Sequence, residues 1–238
     1  MSIGAFSEIA AGATPETVLR WAFEAFPRLV LVASFQAESS VLIDMASRIR
    51  RDAKVLTLDT GRLPQQTYDM IDRVRDRYRV EIEVITPDGD EIRRMVGEHG
   101  SNLFYDSVEL RRLCCDVRKS RPLARALAGY DAWVTGVRRE QALTRSHTAV
   151  VAADPEHEGL TKIAPLAAWT KDQVWSYIRE NELPYHSLYD LGYTSIGCAP
   201  CTRATTAGED ERAGRWWWEV NEVKECGLHW SAKKASDS

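Results

Sequence analysis

Five cysteines carry the first chemistry legible in this chain of 238 residues. Four fall in two pairs, Cys114-Cys115 in RRLCCDVRK and Cys198-Ala199-Pro200-Cys201 in SIGCAPCTR; Cys226 stands apart in ECGLH. Two pairs supply the four sulfur ligands of a structural zinc or of an iron–sulfur cluster. Zinc is usually gripped by two C-x-x-C knuckles that turn both sulfurs toward one ion. Adjacent cysteines do not form that knuckle readily, because neighbouring side chains diverge on a helix or strand. A cubane gives each sulfur its own iron, so divergent neighbours suit a [4Fe-4S] cluster better. Zinc, a redox disulfide and plain buried thiols are the alternatives. Cys226 has Lys224 two residues before it and His229 three after. Nearby positive charge lowers a thiol's pKa and favours the nucleophilic thiolate.

The elements that must position these residues follow from apolar patterning. Thr14-Pro15 opens a helix that Val18, Leu19, Ala22, Phe23 and Phe26 bury and Pro27 ends. Leu29 to Ala33 is a short apolar run, the mark of a strand covered on both faces. The polar loop Ser34 to Ser40 follows, and a helical face begins at Val41. Strand, small-residue loop and helix together aim backbone N–H groups at an anion. Val55 to Leu58 reads as the next strand, delivering Asp59-Thr60-Gly61-Arg62 to the edge where open parallel sheets bind ligands. A helix over Leu63 to Tyr78 and a strand over Val80 to Ile85 come next, then a turn at Pro87-Asp88-Gly89 and a short helix. The cysteine pair is expected to begin a helix running to Ala128, kinked or broken at Pro122. Ala132 to Thr135 is a strand that leads to Gly136-Val137-Arg138-Arg139. Thr148 to Val151 and Leu160 to Ile163 read as a hairpin, and Thr170 caps a helix ended by Pro184. Arg111, Arg112, Arg118 and Arg121 read as solvated charges, the usual fate of arginine. Trp216-Trp217-Trp218 reads as core and hinge packing rather than a base-stacking platform.

The motifs CC-x-x-x-K, LDTGR, TGVRREQ, GCAPC and the terminal ECGLH together resemble those of the assimilatory sulfonucleotide reductases. The likeness runs from about Leu29 to His229. Within that family the two cysteine pairs mark the reductases of adenosine 5′-phosphosulfate (APS). The resemblance implies a Rossmann-like, adenine-nucleotide hydrolase-like α/β fold, a mostly parallel sheet with helices on both faces. It also implies a [4Fe-4S] cluster on Cys114, Cys115, Cys198 and Cys201, with Cys226 as the nucleophile that takes the sulfonate. Thioredoxin would then free sulfite. Lys119 corresponds to a family lysine between cluster and substrate, Arg138 and Arg139 to its arginine loop, and Arg212 and Arg215 to a pair near the tail. His229 would tune Cys226 or touch the phosphosulfate; Ser34, Thr60, Gly61 and Gly136 fall in the substrate-binding loops. The ATP-using relatives carry an SGGxDS-like loop where this chain has SFQAESS, which argues against ATP chemistry. The 3′-phosphorylated substrate (PAPS), alone or beside APS, and a zinc-stabilised binding module without catalysis are the rival readings.

A formal charge of −4 supplies no basic field for nonspecific nucleic-acid binding. It favours a small anion held by a local basic patch. No apolar run approaches the ~20 residues that span a bilayer, and no signal-peptide core stands at the N-terminus. Cytoplasmic residence follows as the expectation, where cysteines serve metals or catalysis rather than disulfide staples. The expected organisation is one α/β domain over residues 1–205 and a mobile tail, 206–238, carrying Cys226. Self-association is left open.

Overall fold

The computed structural model describes residues 12–219; Cys226 and His229 lie outside the described residues. Helix α1 (Pro15–Ala25) starts as expected, with the Thr14 hydroxyl accepting from the Thr17 N–H. It is followed by β1 (Leu29–Val32), α2 (Ala37–Ile49), β2 (Val55–Leu58), α3 (Gln65–Tyr78), β3 (Ile82–Ile85) and α4 (Gly89–His99). After a 3₁₀ turn come α5 (Val108–Cys115), a π-helical turn (Asp116–Ser120), α6 (Arg121–Leu127) and β4 (Ala132–Val134). The hairpin β5 (Val151–Asp154) and β6 (Leu160–Ile163) and helix α7 (Lys171–Glu180) complete the regular elements.

The strands form one sheet in the order β3-β2-β1-β4-β6-β5, parallel except for β5, which runs antiparallel to β6. Alternation along β1 covers both faces. Leu29 and Leu31 enter a core shared with α1, α2, α3 and α7, whereas Val30 enters a second core with Leu123 and Leu127 of α6. The expected α/β fold, a mostly parallel sheet with helices on both faces, is the fold observed. A third apolar cluster lies apart from both, and it contains Cys114, Cys198, Cys201, Phe104 and Trp216.

Four local expectations shift. Helix α2 begins at Ala37 rather than Val41, because Ser39 and Ser40 are buried helical residues and the Ser39 hydroxyl closes the loop by accepting from the Ser34 N–H. The cysteine pair ends a helix instead of beginning one, since Ser107 caps α5 upstream by accepting from the Leu110 N–H. Pro122 does not break the chain either. The Arg121 N–H reaches back five residues to the Asp116 carbonyl, and the resulting π turn places Pro122 in the first turn of α6, where no donor is missed. The first strand of the hairpin lies three residues later than expected. Its register is fixed by β6, and its last residue, Asp154, accepts from the buried Trp133 indole at 3.0 Å.

The beginning of the expected tail is stitched to the body. Thr202 and Arg215 form an isolated antiparallel bridge, the Trp216 N–H donates to the Cys201 carbonyl, and Glu219 pairs with Arg111. Residues 220–238 lie outside the described residues.

Candidate active site

The parallel strands β1, β2 and β4 end side by side, so Ser34, Thr60 and Gly136 all reach one cleft at the C-terminal edge of the sheet. The cleft encloses about 1230 Å³ of empty space, including the solvent at its mouth. The wall formed by the loop after β1 is clamped by Gln36, whose amide donates to Ser34 Oγ (3.1 Å) while its carbonyl accepts from the Ile196 N–H (2.7 Å). Phe35 supports that loop from a left-handed backbone conformation (φ 55°) with its ring fully buried. Gly136 has to be glycine: a Cβ there would stand 2.7 Å from Glu38 Cβ.

Lys119, Arg145, Arg212 and Arg215 bring cations to the cleft. Lys119 arrives on the π turn, and Arg215 on the stitched segment after Gly208. Arg212 and Arg215 lie on a turn, not a helix, in which the Arg215 N–H donates to the Arg212 carbonyl. The Arg138 and Arg139 side chains stand elsewhere. Arg139 donates to the Thr148 carbonyl at 2.9 Å. Arg138 is buried and binds Glu38 (2.7 Å), Glu140 (3.0 Å) and Glu211 (3.2 Å). Glu38 and Glu211 themselves line the cleft, so Arg138 neutralises carboxylates that would otherwise repel an anion. Burial raises the Glu211 carboxyl above its usual range, and the Arg138 charge offsets this only in part. Gly61 stands just outside the cleft, its N–H donating to Asp59 Oδ1 at 2.8 Å.

Behind this wall lies a smaller chamber lined by all four cysteines of the two pairs, with Arg62, Phe104, Arg111, Arg118 and Trp216. Lys119 and Arg215 line both spaces. Thr60 is shared as well, facing the cleft while its hydroxyl lies 3.2 Å from Cys198 Sγ. A Cβ at Gly197, the first residue of GCAPC, would overlap the Arg215 guanidinium, so any larger residue there has to displace that side chain. That guanidinium donates to the Ile196 carbonyl at 3.3 Å and stacks on the Trp216 ring, 4.8 Å from its centroid. Arg111 covers the ring too, at 4.4 Å, and makes a two-pronged bond to Glu219 with both side chains almost fully buried. Arg118 donates to the Thr60 carbonyl at 2.7 Å. Arg111 and Arg118 are therefore interior residues of the site and not solvated charges.

The chamber suits a metal centre by its charge as well as its sulfurs. Burial pushes Cys114 up, with Arg118 only partly opposing it. Burial and then the charges of Cys198 and Cys115 push Cys201 up to about 12. Burial also works against Cys198, but Lys119, the Thr60 hydroxyl and Arg215 outweigh it and hold that thiol below its ordinary value. Burial thus works against the thiolate at Cys114, Cys198 and Cys201, and a cationic centre joining the sulfurs would offset it. The buried Nε atoms of Arg118 and Arg215 and the Trp216 indole N–H have no hydrogen-bond partner among the described residues, leaving donors beside the sulfurs. Among the described residues no three His, Cys, Asp or Glu side chains converge on a single ion.

Residues 28–204 match the model of the phosphoadenosine phosphosulfate reductase domain. The chain belongs to that family. It is 51% identical over 201 residues to the adenosine 5′-phosphosulfate reductase of Allochromatium vinosum, covering 84% of this chain and 78% of that one. Identity to the Burkholderia cepacia enzyme of the same name is 54% over 175 residues, 74% of this chain and 70% of the relative. Among solved structures, the phosphoadenylyl-sulfate (PAPS) reductase of Candida auris in its phosphate complex superposes with a TM-score of 0.73 at 32% identity. That likeness covers 84% of this chain and 96% of the other.

Sequence reasoning missed Arg145, Gln36 and Thr67 as cleft residues and Arg62, Arg111 and Arg118 as chamber residues. Arg62 was within reach, since it sits in LDTGR; the others carry no local signal that separates them from surface polar residues.

Proposed function

We propose that this chain reduces APS to sulfite and AMP with thioredoxin as the electron donor. The observation that carries the reading is the shared wall: Lys119 and Arg215 face the anion cleft on one side and four cysteines on the other. A phosphosulfate carries several negative charges, and convergent cations on preorganised backbone are the means of holding it. Lys119, Arg145, Arg212 and Arg215 would bind its oxygens, with Ser34, Thr60 and Gly136 shaping the nucleotide side. Cys114, Cys115, Cys198 and Cys201 would hold a [4Fe-4S] cluster. When bound, the cluster supplies an electrostatic field at the phosphosulfate and ties the GCAPC turn to α5.

The Cys226 thiolate attacks the sulfate sulfur, the sulfur–oxygen bond to the phosphate breaks, and AMP leaves with the electron pair. The sulfonate then sits on Cys226. One thioredoxin thiolate attacks the Cys226 sulfur and expels sulfite; the second closes the thioredoxin disulfide and returns the Cys226 thiolate. His229 would lower the Cys226 pKa or contact the phosphosulfate. The chemistry fits a reducing compartment such as the cytoplasm, where free thiols persist.

Sulfite release from APS and PAPS, measured side by side with reduced thioredoxin, tests the assignment. APS alone should give a burst of about one AMP per active site and a sulfonate on Cys226, with sulfite appearing only on thiol addition. Cys226→Ser should lose the burst and keep about four iron and four sulfide per chain. Sulfite from the Cys226→Ser protein, or a preference for PAPS, would overturn the reading.

A further inference from the structure

One histidine is sealed behind the cleft and takes no part in the reading above. His186 is fully buried, and burial pushes its pKa down to about 4, so the ring is neutral. A neutral imidazole has one donor and one acceptor nitrogen. Its Nδ1 accepts from the Leu188 N–H at 3.3 Å. The hydrogen must therefore lie on Nε2, whose partner is Thr67 Oγ1 at 3.0 Å. Thr67 is the acceptor in that bond, which turns its own hydroxyl hydrogen away from the ring.

Thr67 is itself 4% exposed, yet it lines the cleft. Its hydroxyl makes no other hydrogen bond among the described residues. It stands in the first turn of α3, a helix of fourteen residues whose N-cap, Pro64, offers no side-chain cap. The positive end of the helix dipole favours an acceptor at the same place. A buried hydroxyl hydrogen left without a partner is costly, and a ligand atom in the cleft would satisfy it.

We propose that Thr67 donates a hydrogen bond to an acceptor atom of the bound nucleotide and that His186 is the positioning residue that fixes this direction. The inference rests on the cleft being the nucleotide site. The acceptor is a phosphate oxygen or an oxygen or ring nitrogen of the nucleoside; the adenine amino group is excluded because it is a donor.

Calorimetric binding of AMP and of adenosine to the full chain tests it. Thr67→Val should weaken AMP binding about three- to tenfold, the range for one neutral hydrogen bond, while Thr67→Ser stays close to wild type. Loss for both ligands places the acceptor on the nucleoside, and loss for AMP alone places it on the phosphate. His186→Leu should weaken binding less than Thr67→Val, and the double variant should be no weaker than Thr67→Val, as for two residues acting in one chain of bonds. Equal AMP affinity in wild type and Thr67→Val, or a Ser variant as weak as Val, overturns the role of Thr67. Additive losses overturn the role of His186. A wild-type chain that does not bind AMP would instead overturn the reading of the cleft.

Discussion

The cleft and the cysteine chamber share Lys119 and Arg215 and treat charge in opposite ways. The cleft is open, its acidic residues are paired off by Arg138, and Lys119, Arg145, Arg212 and Arg215 line it. The chamber is nearly closed. Its positive groups are committed to sulfur, to the Thr60 carbonyl, to Glu219 and to the face of Trp216. A site that exchanges an anion with solvent needs cations in an open wall. A site that keeps a permanent centre needs walls whose charges are balanced once and then buried. Placing the two back to back lets a single ammonium and a single guanidinium serve both.

The sharpest way to separate the two spaces is to remove a ligand from one. Cys201→Ser should abolish iron binding and sulfite release and leave AMP affinity within about twofold, because Cys201 lines the chamber and not the cleft. Iron analysis and calorimetry on the same sample check this; a parallel loss of AMP binding would mean that the spaces are one folding unit. Next in size is the buried pair behind Trp216. Arg111→Met strands the Glu219 carboxylate and should cost about 3–5 kcal/mol of stability in urea titration. Replacing both partners by Met should recover most of that, since matched apolar groups avoid the unpaired charge. Neither change should alter AMP affinity if the pair serves only the chamber.

The shared wall gives the third contrast. Arg215→Ala should weaken APS and AMP binding by about tenfold or more, the scale of one charge-assisted contact. Gly197→Ala should push the same guanidinium off its seat and weaken binding about threefold to tenfold while the charge is retained. An unaffected Gly197→Ala protein would show that Arg215 has room to move, and the rigid-wall account would fail.

How much of this was legible in the sequence depends on whether a residue acts where its neighbours along the chain place it. The strands, the cleft at their ends and the four-sulfur grouping were all readable, because alternation, strand-end motifs and paired cysteines are local signals. Arg111 was not. In sequence it is one of two arginines before a cysteine pair, and only Glu219, far along the chain, turns it into an interior residue. Arg138 and Arg139 follow a strand that ends at the cleft, but neither side chain lines it, because Glu38 and Glu211 hold Arg138 and the Thr148 carbonyl takes Arg139. The π turn was equally hidden. Pro122 announces a disturbed helix, and a turn widened to five residues is one of several ways to absorb it. Arg145, in a loop with no periodicity, could be assigned only from its position.

The smallest effect concerns stability against pH, and among the described residues it belongs to the cleft side, since no described histidine lines the chamber. Burial holds His186 down to about 4 in the folded protein, whereas an unfolded histidine titrates near 6.5. Above pH 6.5 neither state carries the proton, and the contribution of the neutral, hydrogen-bonded ring is complete. As the pH falls from about 6.5 toward 4, the unfolded chain takes up a proton that the folded chain refuses, so stability is lost through that window. His186→Gln cannot titrate there and can still donate an amide N–H toward Thr67. Its unfolding midpoint should therefore fall less steeply than the wild type between pH 6.5 and 4, while the two proteins show the same slope between pH 7 and 8. Chemical denaturation at matched ionic strength would read the difference. Parallel curves across the acid window would mean that His186 is hydrated in the folded state, and the sealed Leu188–His186–Thr67 chain would then lose its basis.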